Sequence, residues 1–224
     1  MAAVKGFFVT GTGTEVGKTV VAAVLARTLA NNGERVAVFK PVVTGLDEPG
    51  ETDHALLRRA AGSKQSDEEI VPYRYGPPAS PHLAAAQAGE EIDPGRLRSG
   101  ARIAAETADV LVCEGVGGLL VPLSWRLGGN YLVRDLAVDL GLPMIVAASP
   151  GLGTINHTML TLEAARAAGL SVAAAVLTPW PEEPSAIERS NLETIEGLGE
   201  VRVEVLPQLD LAAPAAWPAL KIKP

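Results

Sequence analysis

The stretch from residue 6 to residue 30 most constrains what this chain can fold into. An apolar run, Gly6 to Val9, leads into Thr10-Gly-Thr-Gly-Thr-Glu-Val-Gly-Lys-Thr19, and Val20 to Ala30 is a good helix former. Strand, glycine-rich loop and helix in that order predict a phosphate cradle. Backbone N–H groups turn inward, Lys18 reaches the outer phosphates, the Thr19 hydroxyl meets Mg²⁺, and the helix N-terminus faces the anion. Thr14 to Val20 is therefore the expected nucleoside triphosphate loop, with Glu15, Val16, Gly17 and Val20 beside Lys18 and Thr19. The loop departs from the usual spacing. Thr12 stands where the first glycine is expected, and Gly11 comes one place earlier. Glu15 is also unusual, because phosphates repel a carboxylate. It suits a cationic substrate or a ribose hydroxyl better.

Beyond the loop, apolar runs and helical stretches keep alternating. Strands are expected at Lys5–Thr10, Arg35–Lys40, Asp109–Glu114, Pro143–Ala148, Ser171–Leu177 and Val201–Leu206. Helices are expected at Gly17–Asn31, Asp53–Ala61, Pro94–Thr107, Tyr131–Leu140, Thr154–Ala168 and Ser185–Leu198. Residues 62 to 92 read as irregular, with a short helix at Leu83–Gln87, and the Ala/Pro-rich tail from Ala212 reads as a short helix and a loose end. The strands are unbroken apolar runs, which predicts burial on both faces. The expected fold class is α/β: one doubly wound, mainly parallel sheet of the P-loop NTPase type, in a single domain over residues 1–224.

In such sheets ligands bind beyond the carboxyl ends of the strands. The polar and glycine residues gather there: Gly11–Thr19, Lys40-Pro-Val-Val-Thr-Gly45, Glu114-Gly-Val-Gly-Gly118, Ser149-Pro-Gly-Leu-Gly-Thr154 and Thr178-Pro179. Glu114, at a strand end before a flexible Gly115-Val116-Gly117 turn, suits a Mg²⁺ carboxylate. Two residues stay open on local pattern. Lys40 is either a lysine snorkelling off a strand end or a fixed charge at the phosphate edge. Asp53 is either a helix cap or a second metal carboxylate. His82 and His157 are open between packing and function.

Composition excludes several classes. Net charge is −7, which opposes nucleic acid and anionic membrane. Trp125, Trp180 and Trp217 show no basic interleaving. With six lysines in 224 residues, a lysine inside a motif is less expected as surface filler. The single cysteine, Cys113, allows no internal disulfide and fits a reducing cytoplasm. No apolar run approaches membrane-spanning length, and the N-terminus enters a strand without a signal peptide. Zinc spacing and a Gly-x-Ser-x-Gly turn are both missing.

The loop, the Lys40–Gly45 turn, Thr52-Asp53, Ser80-Pro-His82, Glu114–Gly118 and Gly153-Thr-Ile-Asn-His157 with Met159-Leu-Thr161 occur in an order that resembles the dethiobiotin synthetase family. The resemblance spans the chain to about Leu177. It implies a cyclo-ligase of biotin biosynthesis. One amine of 7,8-diaminopelargonate takes up CO₂ as a carbamate, ATP activates that carbamate, and the second amine closes the ring to dethiobiotin with release of ADP and phosphate. By resemblance, Thr19, Asp53 and Glu114 hold Mg²⁺. Lys18 and Lys40 are catalytic cations, and Gly115, Val116 and Gly117 lie beside the nucleotide. Thr14, Lys40 and Thr44 meet the substrate. Gly153 and Asn156 receive its tail carboxylate across a homodimer interface. Some members carry Asn-Asp where this chain has Thr178-Pro179, which predicts loose base selection, and Leu206-Pro207-Gln208 matches a second turn beside the base. Two other functions compete. One is an amide-forming ligase on a corrinoid precursor, whose extra amidotransferase domain does not fit in 224 residues. The other is a partitioning-type nucleotide-switch ATPase, which usually carries an early loop lysine where this chain has Gly11-Thr12-Gly13.

Overall fold

The computed structural model describes residues 5–106, 108–126 and 129–222. Its centre is a six-stranded sheet built from β1 (Gly6–Gly11), β2 (Val36–Phe39), β5 (Val110–Glu114), β8 (Met144–Ala148), β9 (Val172–Trp180) and β10 (Val203–Pro207). The spatial order is β10-β9-β8-β1-β5-β2, and every neighbouring pair is parallel. β1 lies between β5 and β8, so the chain reverses its direction of travel across the sheet beside β1. That places the loop after β1 at the crevice where such sheets bind ligands.

The apolar runs are continuous because each strand buries both faces. Phe7, Val9, Val110, Val112, Ile145 and Ala147 point into one cluster with α1 (Lys18–Asn31) and α2 (Asp53–Ala61). Their alternates Phe8, Leu111, Cys113, Met144 and Val146 point into the other. That second layer contains α5 (Pro94–Glu106), α6 (Val133–Leu140), α7 (Thr154–Ala167) and α8 (Ala186–Gly199). α1 is buried along nearly its whole circumference, from Lys18 to Leu29, so its Ala/Val/Leu sequence carries no wide polar face. α7 stops at Ala167, with Ala168 as its C-cap and Gly169 at φ 79° as expected of a helix-ending glycine.

The structure differs from the sequence expectations in several places. Residues 62–92 hold the expected short helix as α4 (Pro81–Gln87), but also α3 (Asp67–Ile70) and β4 (Tyr73–Arg74), which pairs with the short β3 (Val42–Val43). Tyr131 and Leu132 do not begin a helix; they end β7 (Gly129–Leu132), which forms an antiparallel hairpin with β6 (Pro122–Arg126). β9 continues past Leu177 through Thr178 and Pro179 to Trp180, because β10 pairs along it. Thr107, expected at the end of α5, lies outside the described residues. The tail has one 3₁₀ turn, Pro214–Ala216, and it is anchored as far as residue 222. Leu220 and Ile222 are buried with α1 and α2, and the Leu220 amide donates to the Thr28 hydroxyl at 3.2 Å.

β2 is an edge strand, and its outer side is closed by other groups. The Gln65 amide accepts from Val38 N at 2.8 Å and donates to Val38 O at 3.1 Å, and Lys40 N donates to Ile70 O at 2.9 Å.

Candidate active site

The loop begins later than its sequence suggests. Thr12 N donates to Ala147 O of β8 at 3.0 Å, so Thr12 still continues the strand edge. Gly11 must be glycine because a Cβ there would lie 2.6 Å from Val16 Cγ2 and 2.8 Å from Lys18 Cγ. The turn itself needs left-handed backbone at Glu15 (φ 59°) and Gly17 (φ 84°). A Cβ on Gly17 would also meet Thr178 Cγ2 at 2.4 Å. The end of β9 therefore packs directly against the loop.

A cavity of about 400 Å³ opens above the loop. Its lining brings together Thr14, Glu15, Gly17, Lys18, Thr19, Val20, Lys40, Thr44, Asp53, Glu114, Val116 and Gly117, contributed by the ends of β1, β2 and β5 and the start of α2. Of the residues picked out in the sequence, Val16, Gly115, Gly153, Asn156, Thr178, Leu206, Pro207 and Gln208 do not line it. Thr178 is instead buried against Gly17, and Gly153 and Asn156 are exposed at the start of α7.

Inside the cavity the charged groups are already tied together. Lys40 Nζ lies 2.5 Å from Asp53 Oδ2 and 2.6 Å from Glu114 Oε1. The Thr19 hydroxyl lies 3.0 Å from Asp53 Oδ1 and 2.9 Å from Glu114 Oε1, and its single proton can serve one of them at a time. Lys18 Nζ donates to the Gly13 carbonyl at 2.6 Å. Thr52 occupies the cap position of α2 without a side-chain cap bond, and the Asp53 carboxylate reaches Lys40 and Thr19. The two open residues, Lys40 and Asp53, are thus partners of each other.

The electrostatics follow from burial against pairing. Burial acts most strongly against the charge on Lys40, but Glu114 and Asp53 together outweigh it and its pKa is raised. Burial likewise opposes ionisation of Asp53, and Lys40 overcomes it, lowering that pKa. Glu114 is fully buried, and there burial wins over Lys40, so its pKa is raised. Lys18 has its pKa lowered, chiefly by burial.

The oxygen donors fit a small hard cation. Glu114 Oε2 is a buried acceptor without a hydrogen-bond partner, next to a hydroxyl and a second carboxylate. Mg²⁺ is usually held by one or two carboxylates plus substrate phosphates. Among the described residues no cluster of three or more His, Cys, Asp or Glu side chains is placed to hold a metal.

Sequence reasoning missed a second cavity of about 480 Å³. It shares Thr14 with the first and is lined further by Leu119, Leu120, His157, Leu160 and Thr161. Leu120 and Leu160 are more than half exposed, and no local pattern distinguishes them from core leucines. His157 is thereby placed beside the loop. His82 is placed against the Trp125 ring, at 6.2 Å between centroids, and lines neither cavity. No helix among the described residues is long and apolar enough to cross a membrane.

The chain is similar to known proteins over most of its length. A family model described as an AAA domain matches residues 5–215. The ATP-dependent dethiobiotin synthetase BioD of Bacillus subtilis is 38% identical over 207 residues, covering 92% of this chain and 88% of that protein. Its namesake from Mycobacterium avium is 46% identical over 223 residues, covering 93% and 89%. A ParA family ATPase from Chlorobium tepidum is structurally similar, with a TM-score of 0.54 over 95% of this chain and 87% of the other. At 15% sequence identity it shows the fold alone. With relatives of this identity spanning about nine-tenths of its length, the chain belongs to the ATP-dependent dethiobiotin synthetase family.

Proposed function

We propose that the chain is an ATP-dependent dethiobiotin synthetase whose chemistry takes place in the cavity above the loop. The observation that carries the reading is the long match to relatives of that name. The convergence of Lys18, Lys40, Thr19, Asp53 and Glu114 on one cavity supplies the machinery.

In this reading an amine nitrogen of 7,8-diaminopelargonate attacks CO₂ and loses a proton, giving a carbamate. A carbamate oxygen attacks the γ-phosphorus of ATP and ADP leaves. The second amine then attacks the carbamoyl carbon, phosphate leaves, and the cyclic urea closes. Anionic carbamate and anionic triphosphate repel each other, so the site must supply positive charge where they meet. Lys18, at the start of α1, reaches the outer phosphates. Lys40, on the wall shared with Thr44, bridges phosphate and carbamate. Thr14, Glu15 and Thr44 face the diamine, and a carboxylate in that position suits an ammonium group better than a phosphate. Thr19, Asp53 and Glu114 would hold Mg²⁺, which when bound supplies charge neutralisation to the phosphate oxygens. Val16, Val20, Gly115, Val116 and Gly117 pack beside the nucleotide.

The exposed Gly153 and Asn156 receive the tail carboxylate across a homodimer interface, since a helix N-terminus suits an anion. Thr178, Leu206, Pro207 and Gln208 lie on the base side. The test is phosphate release from ATP, measured with and without diaminopelargonate and bicarbonate. Release that needs both supports the reading; release independent of the diamine refutes it.

A further inference from the structure

A bound cation between two carboxylates is already present in the cavity, and it belongs to the chain. The Lys40 ammonium lies 2.5 Å from Asp53 and 2.6 Å from Glu114, the two acids proposed above as metal residues, and the Thr19 hydroxyl touches the same pair. The Lys40 side chain is 4% exposed and that of Glu114 is 0%. At such burial a carboxylate left without a positive neighbour is strongly destabilising. Two of the three ammonium hydrogens are thereby engaged by the carboxylates.

We infer that Lys40 is an internal surrogate for the divalent cation. It neutralises Asp53 and Glu114 in the nucleotide-free protein, and it must let go of them to serve the phosphates. This sets an order of loading. Without phosphates, Lys40 has no better partner than its two carboxylates, and a divalent ion must compete with an ammonium already in place while shedding its own water. With phosphates present, Lys40 gains a further anionic partner, and its release from Glu114 and Asp53 leaves a dianionic pair. Metal and nucleotide therefore enter together, and free metal binds weakly. The inference rests on the reading of Thr19, Asp53 and Glu114 as the metal residues.

The test is Mn²⁺ uptake by the nucleotide-free protein, followed by electron paramagnetic resonance of free Mn²⁺, for the parent, Lys40→Met and Lys18→Met. Lys40→Met is expected to bind Mn²⁺ at least about tenfold tighter than the parent, a change of roughly 1.4 kcal/mol. Lys18→Met, whose ammonium bonds the Gly13 carbonyl and not a carboxylate, is expected to change binding less. Unchanged or weaker binding by Lys40→Met, or an equal gain in Lys18→Met, overturns the inference and leaves the metal reading intact. Failure of the parent to take up Mn²⁺ even with ADP overturns both. If Lys40→Met unfolds because its carboxylates are left unpaired, Mn²⁺ should restore its melting transition; a variant that Mn²⁺ does not rescue also overturns the surrogate role.

Discussion

Replacing Gly17 by alanine tests how the loop is held from behind. Two separate costs are expected. Gly17 has φ 84°, where an L side chain is disfavoured by ~1–2 kcal/mol. The added Cβ would lie 2.4 Å from Thr178 Cγ2, a methyl in the interior, and relieving such overpacking costs ~1–3 kcal/mol. Together these give roughly 2–5 kcal/mol. With a urea slope of about 2 kcal/mol/M, the unfolding midpoint falls by about 1–2.5 M. The second cost can be separated, because Thr178→Ser removes the offending methyl. The next atoms, Thr178 Cβ at 3.8 Å and Oγ1 at 4.0 Å, are at ordinary contact distance. In the Thr178→Ser background, Gly17→Ala should therefore cost only the backbone part, leaving a coupling of ~1–3 kcal/mol in the double-mutant cycle. The assay is urea unfolding of the four chains by far-ultraviolet circular dichroism. Equal midpoint shifts for Gly17→Ala in both backgrounds would refute the claim that β9 is packed against the loop.

Three further outcomes are expected. Lys40→Ala should lower kcat far more than it weakens nucleotide binding, since its charge matters most as the phosphoryl group moves; steady-state kinetics with an intact kcat would remove Lys40 from the mechanism. CTP or GTP should support phosphate release within about tenfold of ATP, a difference of about 1.4 kcal/mol, because Thr178 is buried against Gly17 and offers a base no bidentate amide; turnover confined to ATP refutes this. Hydrogen bonds from Arg35 hold the Asp109 carboxyl at about 2. Its folded pKa is depressed, so its stabilisation is present above about pH 4, the usual aspartate value, and is lost as the pH falls toward about 2. The gap in melting temperature between the parent and Asp109→Asn should shrink over that interval, and a constant gap contradicts the assignment.

Much of the architecture was legible because the strands bury both faces. Phe7, Phe8 and Val9 form one unbroken apolar word, yet the structure sends them alternately to two cores. The loop was legible for the same local reason: strand, glycines, lysine and helix are contiguous. What escaped was set by distant partners. Tyr131 and Leu132 have enough apolar character to join the helix that follows, but Ser124 and Pro122 pair with them across a hairpin. Thr178 looked like a loop residue, because nothing nearby shows that β10 extends β9 to Trp180. Lys40 and Asp53 could not be decided one at a time. Each is ambiguous alone, and Glu114, 74 positions from Lys40, is the third member that gives both a role. The tail misled by composition: its alanines and prolines suggest a loose end, while Leu220 and Ile222 carry the burial.

The amide of Gln65 offers the outer edge of β2 what a seventh strand would offer, one donor and one acceptor at the spacing of Val38. With Lys40 N also taken by Ile70 O, this margin of the sheet has little left to pair with another chain. A second molecule meeting this edge would find Val38 and the Lys40 amide already taken, which makes the addition of another strand there less favourable. The strand that carries Lys40 into the cavity is thus also held along its outer edge by a residue from outside the sheet.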